Sequence, residues 1–137
     1  MFAATRNFAN SYHKVHVETS VESADPHKLI EMLLQGAIDT INKARGALER
    51  QDLRTKGEQI AKAVRIIEEG LRASLDSAAG GQIAGELDLL YVYIVKRLTL
   101  SNVRNDDQGL VECINLLLPI RDAWSGIRPS VGGGRPQ

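Results

Sequence analysis

The sequence predicts an all-α protein: an antiparallel up-down four-helix bundle with a mobile N-terminal arm and a disordered C-terminal tail. Three observations carry this expectation. Four segments, each of roughly 20 residues, place apolar side chains every three or four positions, the spacing of one helix face. No segment sustains the period-two alternation of a strand. The connections between the periodic segments are short, which makes successive helices antiparallel. A chain of 137 residues can bury a core without staples. Hydrophobic residues make up 43% and aromatics only 4%, so aliphatic side chains must do most of the packing.

Residues 1–22 carry Phe2, Phe8, Tyr12, Val15, Val17 and Val21 without a sustained period and read as an arm. Residues 23–127 form the bundle domain and 128–137 the tail. The first helix runs from about Pro26 to Arg50. Asp25 can accept a hydrogen bond from the free first-turn amides, and Pro26 suits the first helical position. Ile30, Leu33, Leu34, Ala37, Ile41, Ala44 and Leu48 share one face, which Leu29 and Ile38 widen to about half the circumference. The polar run "RQDLRTKG" then supplies a short connection.

The second helix, about Arg54 to Leu75, has a narrow stripe of Ile60, Val64, Ile67, Leu71 and Leu75. Gly57 and Gly70 each cost about 1 kcal/mol relative to Ala inside a helix, so packing must hold it. Gly80-Gly81 marks a break. The third helix, about Gln82 to Val103, holds the densest apolar run, "LDLLYVYIV". Ile83, Leu87, Leu90, Ile94 and Leu98 form its main stripe, with Leu89 and Tyr93 as one shoulder and Tyr91 as the other. The fourth, about Asp106 to Ile127, opens on acidic residues suited to the helix dipole. It aligns Leu110, Ile114, Leu117, Leu118, Ile120 and Trp124, with Pro119 expected to bend it. The tail "RPSVGGGRPQ" is rich in Pro and Gly.

Composition and motifs argue against chemistry. Lys plus Arg equals Asp plus Glu at 17 each, without the basic excess that nucleic acid or an anionic membrane recruits. No apolar run approaches the roughly 20 residues of a membrane span, and the N-terminus lacks a secretory pattern, so a cytoplasmic protein is expected. The single Cys113 excludes an internal disulfide and reads as a buried, inert thiol. All three histidines (His13, His16, His27) precede the first helix or stand in its first turn, so no Glu-x-x-His di-iron pairs and no mid-helix phosphotransfer histidine exist. His13-x-x-His16 lacks a third ligand at a recognisable spacing. Glu68-Glu69 and Asp106-Asp107 are adjacent pairs whose side chains diverge on a helix. "GGQIAG" lacks the Lys-Ser/Thr ending and the preceding strand of a phosphate loop. No enzyme, metal or cofactor is expected.

What remains is apolar surface in excess. A bundle helix commits about three positions in seven to the core, and helices one, three and four exceed that. Either a small Leu/Ile-built bundle buries wide faces, or the grooves between wide helices receive amphipathic helices of a partner. Residues towards the stripe edges, Leu34, Leu89, Tyr93 and Leu118, are the candidates for contact. Ile30, Leu90 and Leu117 look like core.

Three landmarks in order, "ADPHKLIEMLLQGAI", "LLYVYIVKRLTLSNVRND" and "LLLPIRDAW", resemble the flagellar secretion chaperone family, FliS, from about Tyr12 to Trp124. Met32, Leu33, Gly36 and Ala37 match the family's Met-Leu-Tyr-Asp-Gly-Ala, while Leu34 and Gln35 depart from it. Leu90, Tyr91, Tyr93, Arg97 and Leu98 match Leu-Tyr-Asp-Tyr…Arg-Leu, with Val92 in the acidic place. Ser101-Asn102 stands for Ala-Asn, and Pro119 is unusual. The resemblance implies a monomeric cytoplasmic bundle that holds the C-terminal, self-associating segment of flagellin, blocks premature polymerisation and delivers it to the flagellar export gate. It also points to Tyr12 as a partner-binding residue, on an arm that either covers the groove until a client arrives or caps the bundle in both states. The alternative in another class is a non-enzymatic helical protein that self-associates through its wide faces.

Overall fold

The structure is a computed structural model that describes residues 25–75 and 77–127, with backbone alone for 77–79. The arm at 1–22, with Tyr12, His13 and His16, and the tail at 128–137 lie outside the described residues. The described residues form helices: α1 (Pro26–Glu49), α2 (Leu53–Arg65) running on into a π-helical segment (Ile66–Arg72), α3 (Ser77–Arg104) and α4 (Asp107–Ile127). Each helix packs beside its chain neighbour, and α4 closes the ring against α1. Polar pairs show that neighbours run antiparallel. Arg45 bonds Asp107 while Gln35 bonds Arg121. Lys56 bonds Asn102 while Arg72 bonds Asp88. This is the up-down bundle expected from the sequence.

The elements start and stop for local reasons. Asp25 caps α1, its carboxylate accepting from the His27 amide at 3.0 Å, with Pro26 in the first turn. The two connections at the other end of the bundle share one design. After α1, Gln51 adopts φ 62°, its amide bonds Leu48 O at 2.9 Å, and the Asp52 amide reaches Ala47 O at 2.8 Å. After α3, Asn105 adopts φ 52°, with Asn105 N bonded to Asn102 O and Asp106 N to Ser101 O. Both are Schellman closures, which satisfy carbonyls left open at a helix C-terminus. In each case the next residue is an aspartate that caps the following helix: Asp52 accepts from Thr55 N, and Asp106 from Gln108 N. At the opposite end, Gly81 has φ 55° and ψ −127°, so the run Ser77–Arg104 is kinked at the Gly80-Gly81 break. α4 continues through Pro119. Pro119 and Asn115, whose carbonyl loses its ladder partner, both lie on the exposed side.

The core is aliphatic, built on Leu33, Ile41, Ile60, Ile67, Leu71, Ile94, Leu98, Leu110 and Leu117. α1 is buried from Ala47 round to Ile38, an arc of about half its circumference at 100° per residue. Leu34 lies inside that arc and is 0% exposed. This corrects the expectation of an edge position: α2 and its π-helical extension cover one flank of α1 and α4 the other. The second helix also departs from its sequence reading. The wider π turn places Ile66, Ile67, Gly70 and Leu71 on the buried side, so Ile66 and Ala63 replace Val64 in the interior.

Gly70 accounts for how close α1 comes. A methyl there would stand 3.0 Å from Leu33 Cδ2 and 3.1 Å from Cδ1, whereas at Gly57 the nearest neighbour, Asn102 Oδ1, would be 3.9 Å away. Gly70→Ala is therefore expected to lower stability by about 1–2 kcal/mol through overpacking, despite alanine's better helix propensity. Gly57→Ala should be neutral or stabilising by up to about 1 kcal/mol. Paired thermal melts check this, and a Gly70→Ala protein as stable as the parent would show that Leu33 yields freely.

Candidate functional site

α3 carries two apolar stripes. Ala84, Leu87, Tyr91, Ile94, Leu98 and Ser101 recur at alternating spacings of three and four and face the bundle. Leu89, Tyr93, Leu100 and Val103 repeat the same spacings on the outer side, with Lys96 between them, and are 71%, 45%, 39% and 75% exposed. The core stripe is thus rotated from the one expected. Tyr91, expected as a shoulder, is buried, and Leu90 is only half-buried. Ile83, expected in the main stripe, is 67% exposed. Asp88 is already level with Arg72, where the π-helical segment ends, so Ile83 lies more than a turn beyond that neighbour.

Leu89 and Tyr93 therefore belong to one exposed face, as their edge placement suggested. Leu100 and Val103, which extend it, were missed, although their spacing from Leu89 and Tyr93 was the available signal. Leu118 is half-buried elsewhere. It shares a helix face with Arg121 and Ser125, which bond Gln35 and Glu31 of α1, so it belongs to the α1/α4 side. Leu34 is in the core. Among the candidates that lie in the described residues, only Leu89 and Tyr93 are brought together.

Tyr93 is held by its neighbours across the helix interface. Its hydroxyl donates to Glu112 Oε2 at 2.5 Å, and Arg97 Nε donates to Glu112 Oε1 at 2.6 Å. The far side of the Arg97 guanidinium lies 3.6 Å from Asp106. Donation from Tyr93 and then Arg97 holds the Glu112 carboxyl below the usual carboxylate range, and the bond to Glu112 pushes the Tyr93 phenol up. Arg97 and Tyr93 are one turn apart, so their shared face was legible; the partner on α4 was not.

The cavities differ in character. Two open crevices flank α1 and α4: one of about 560 Å³ beside the Arg45–Asp107 pair and one of about 390 Å³ beside Arg121 and Gln35. The first contains the Arg45–Asp107 pair and the second the Gln35–Arg121 and Glu31–Ser125 bonds, so the main polar groups across each crevice are engaged with each other. A small apolar pocket of about 70 Å³ at the Gly81 end is lined by Ile30, Leu71, Leu75, Leu87, Tyr91 and Trp124. Beside it Trp124 stacks on His27, centroids 5.1 Å apart, and its indole N–H donates to His27 O at 3.0 Å. Cys113 is buried, with its thiol pushed up to about 12, first by burial and then by Glu112. Among the described residues, no group of His, Cys, Asp and Glu could hold a metal ion, and no helix is long and apolar enough to cross a membrane.

The family described as flagellar protein FliS matches residues 8–131. The chain belongs to the FliS family. It is 46% identical to the flagellar secretion chaperone FliS of Salmonella typhimurium over 125 residues, covering 91% of this chain and 93% of the relative. It is likewise 46% identical to flagellar secretion chaperone FliSB of Pseudomonas aeruginosa over 116 residues, 85% of this chain and 91% of the relative. A more distant relative, from Bacillus subtilis, is 31% identical over 112 residues, 82% of each chain. FliS is a family of chaperones, not of enzymes. The residues that carried the resemblance divide in this structure. Tyr91 and Leu98 are core, whereas Tyr93 and Arg97 form the surface network with Glu112.

Tyr91 gives the fold a measurable alkaline limit. Burial pushes its phenol from an ordinary 10.0 to about 12. The folded chain holds this proton more tightly than the unfolded one, so the associated stability is complete below the unfolded pKa and is lost as pH rises from 10 towards 12. Tyr91→Phe should remove that loss. The parent's stability relative to the variant is expected to fall by on the order of 2 kcal/mol across this range, measured by urea unfolding. Parallel pH profiles for the two proteins would contradict the assignment.

Proposed function

We propose that this chain is a cytoplasmic export chaperone that binds the C-terminal segment of flagellin, keeps it from polymerising and hands it to the flagellar export machinery as a monomeric carrier. The observation that carries the reading is the outer stripe of α3. Leu89, Tyr93, Leu100 and Val103 are exposed at the spacing of a helix-docking seam, while a separate stripe of the same helix fills the core. A bundle does not need that second stripe for its own stability. The names of the relatives, flagellar secretion chaperones, support the same reading.

The mechanism needs no bond chemistry. A client segment laid along α3 as an amphipathic helix loses access to its own copies, and a chain kept from folding further stays narrow enough for export. Ordering the client costs part of the interaction energy, so binding is moderate and reversible, as a carrier requires. Leu118, on the α1/α4 side, is assigned a lesser contact. Tyr12, outside the described residues, contributes no geometry to the reading.

The stripe is mainly apolar and the net charge zero, so affinity for a flagellin C-terminal peptide should survive added salt and show a negative heat-capacity change. Leu89→Glu is expected to weaken binding at least tenfold, about 1.4 kcal/mol, with stability changed by no more than about 0.5 kcal/mol. Calorimetric titration and thermal melts read both. A steep loss of affinity between low and moderate salt would assign the driving force to charge instead. An obligate oligomer in sedimentation, with no peptide binding, would assign the stripe to self-association.

A further inference from the structure

We infer that Glu112 is a positioning residue: together with Arg97 it fixes the Tyr93 ring on the outer face of α3, making that ring the pre-set anchor for the docked client helix. The inference rests on the α3-face reading above and adds a division of labour within it.

The geometry distinguishes Tyr93 from its stripe neighbours. Leu89, Leu100 and Val103 are aliphatic and exposed, with nothing polar to restrain them. Tyr93 is tethered at its far end to α4, while the residue as a whole stays 45% exposed. Both carboxylate oxygens of Glu112 are used, one for the phenol and one for Arg97. Arg97 is itself steadied by Asp106, in the cap of α4. Gly109 leaves room for both Ser101 and Arg97, since a methyl there would collide first with Ser101 Oγ and would also stand 2.8 Å from Arg97 Nη1 and 2.9 Å from Cζ. The first turn of α4 is therefore bare where the guanidinium crosses it.

This arrangement is more than the fold requires. Polar pairs at partly exposed positions contribute little to stability, and Ile94, Leu98, Leu110 and Cys113 already seal α3 to α4. What the tether does is remove the ring's rotational freedom before binding. Side chains immobilised on binding subtract from affinity, and interface hot spots favour aromatic residues whose geometry is settled beforehand. A phenol held by a carboxylate keeps its apolar ring face outward with its exposed hydroxyl already paired before the client arrives.

The test is a double-mutant cycle on the full chain, with a flagellin C-terminal peptide as probe. Tyr93→Phe and Glu112→Ala should each weaken binding about three- to tenfold, and the double variant no further than either single one. Glu112→Gln, which retains an acceptor, should recover part of the loss. In the free protein, aromatic NMR relaxation should show the Tyr93 ring losing order in Glu112→Ala. If Leu89→Glu and Tyr93→Ala both leave affinity intact, the α3-face reading fails and takes this inference with it. If Tyr93→Ala weakens binding but Glu112→Ala does not, the positioning role alone is overturned. Additive losses, or an equally ordered ring without Glu112, overturn it too.

Discussion

With Gly70 offering no side chain to Leu33, α1 lies close enough to the π-helical segment for about half of its circumference to be buried. The other packing choices follow from this approach. A helix sunk so far needs cover on both flanks, which α2 with its π-helical extension and α4 supply. With few aromatic rings to fill gaps, the core relies on branched aliphatic side chains and small residues such as Ala37, Ala44 and Ala63 at close approaches. α3 completes the ring through one stripe, and its second stripe is left outside.

Polar contacts in this bundle set register more than strength. Arg45–Asp107 and Arg121–Gln35 align α4 against α1, Lys56–Asn102 and Arg72–Asp88 align α2 and its extension against α3, and Arg97–Glu112 aligns α4 against α3. Partly exposed pairs of this kind are individually weak. Sliding any helix by one turn would break several together, whereas a smooth aliphatic core alone would tolerate such a slip. Lys56 also has a local task. Buried to 6% exposure, its ammonium bonds Asn102 O at 2.9 Å, at the negative end of α3.

The helical class, the antiparallel order, the Asp25-Pro26 start and the break at Gly80-Gly81 were all legible in the sequence, because each is a local property of spacing or backbone preference. The stripe of α3 that enters the core was not. Leu90 and Tyr91 are adjacent, and periodicity cannot say which faces inward until the neighbouring helices are in place. Leu34 was misplaced for a related reason, since the width of a buried arc depends on how many neighbours cover it. The π turn at Ile66–Arg72 adds a register shift that a fixed 3.6-residue period does not contain. The candidate site was half legible: Leu89 and Tyr93 came from spacing on one helix, whereas Glu112 lies on another and is joined to Tyr93 only by folding.

The two ends of the bundle are built differently. At one end, Arg50-Gln51-Asp52 and Arg104-Asn105-Asp106 turn the chain in a single tight step and clamp four helix termini. At the other lie the entry of α1, the close of the π-helical segment, the kink at Gly81 and the exit of α4. Among the described residues, fewer backbone hydrogen bonds turn the chain at that end, so opening free energy is expected to grade along the bundle axis from the Gly81 end to the clamped end. The molecule thus resembles a clothes-peg: its sprung end keeps the four rods in register, and its jaws can part by small amounts without the grip being lost.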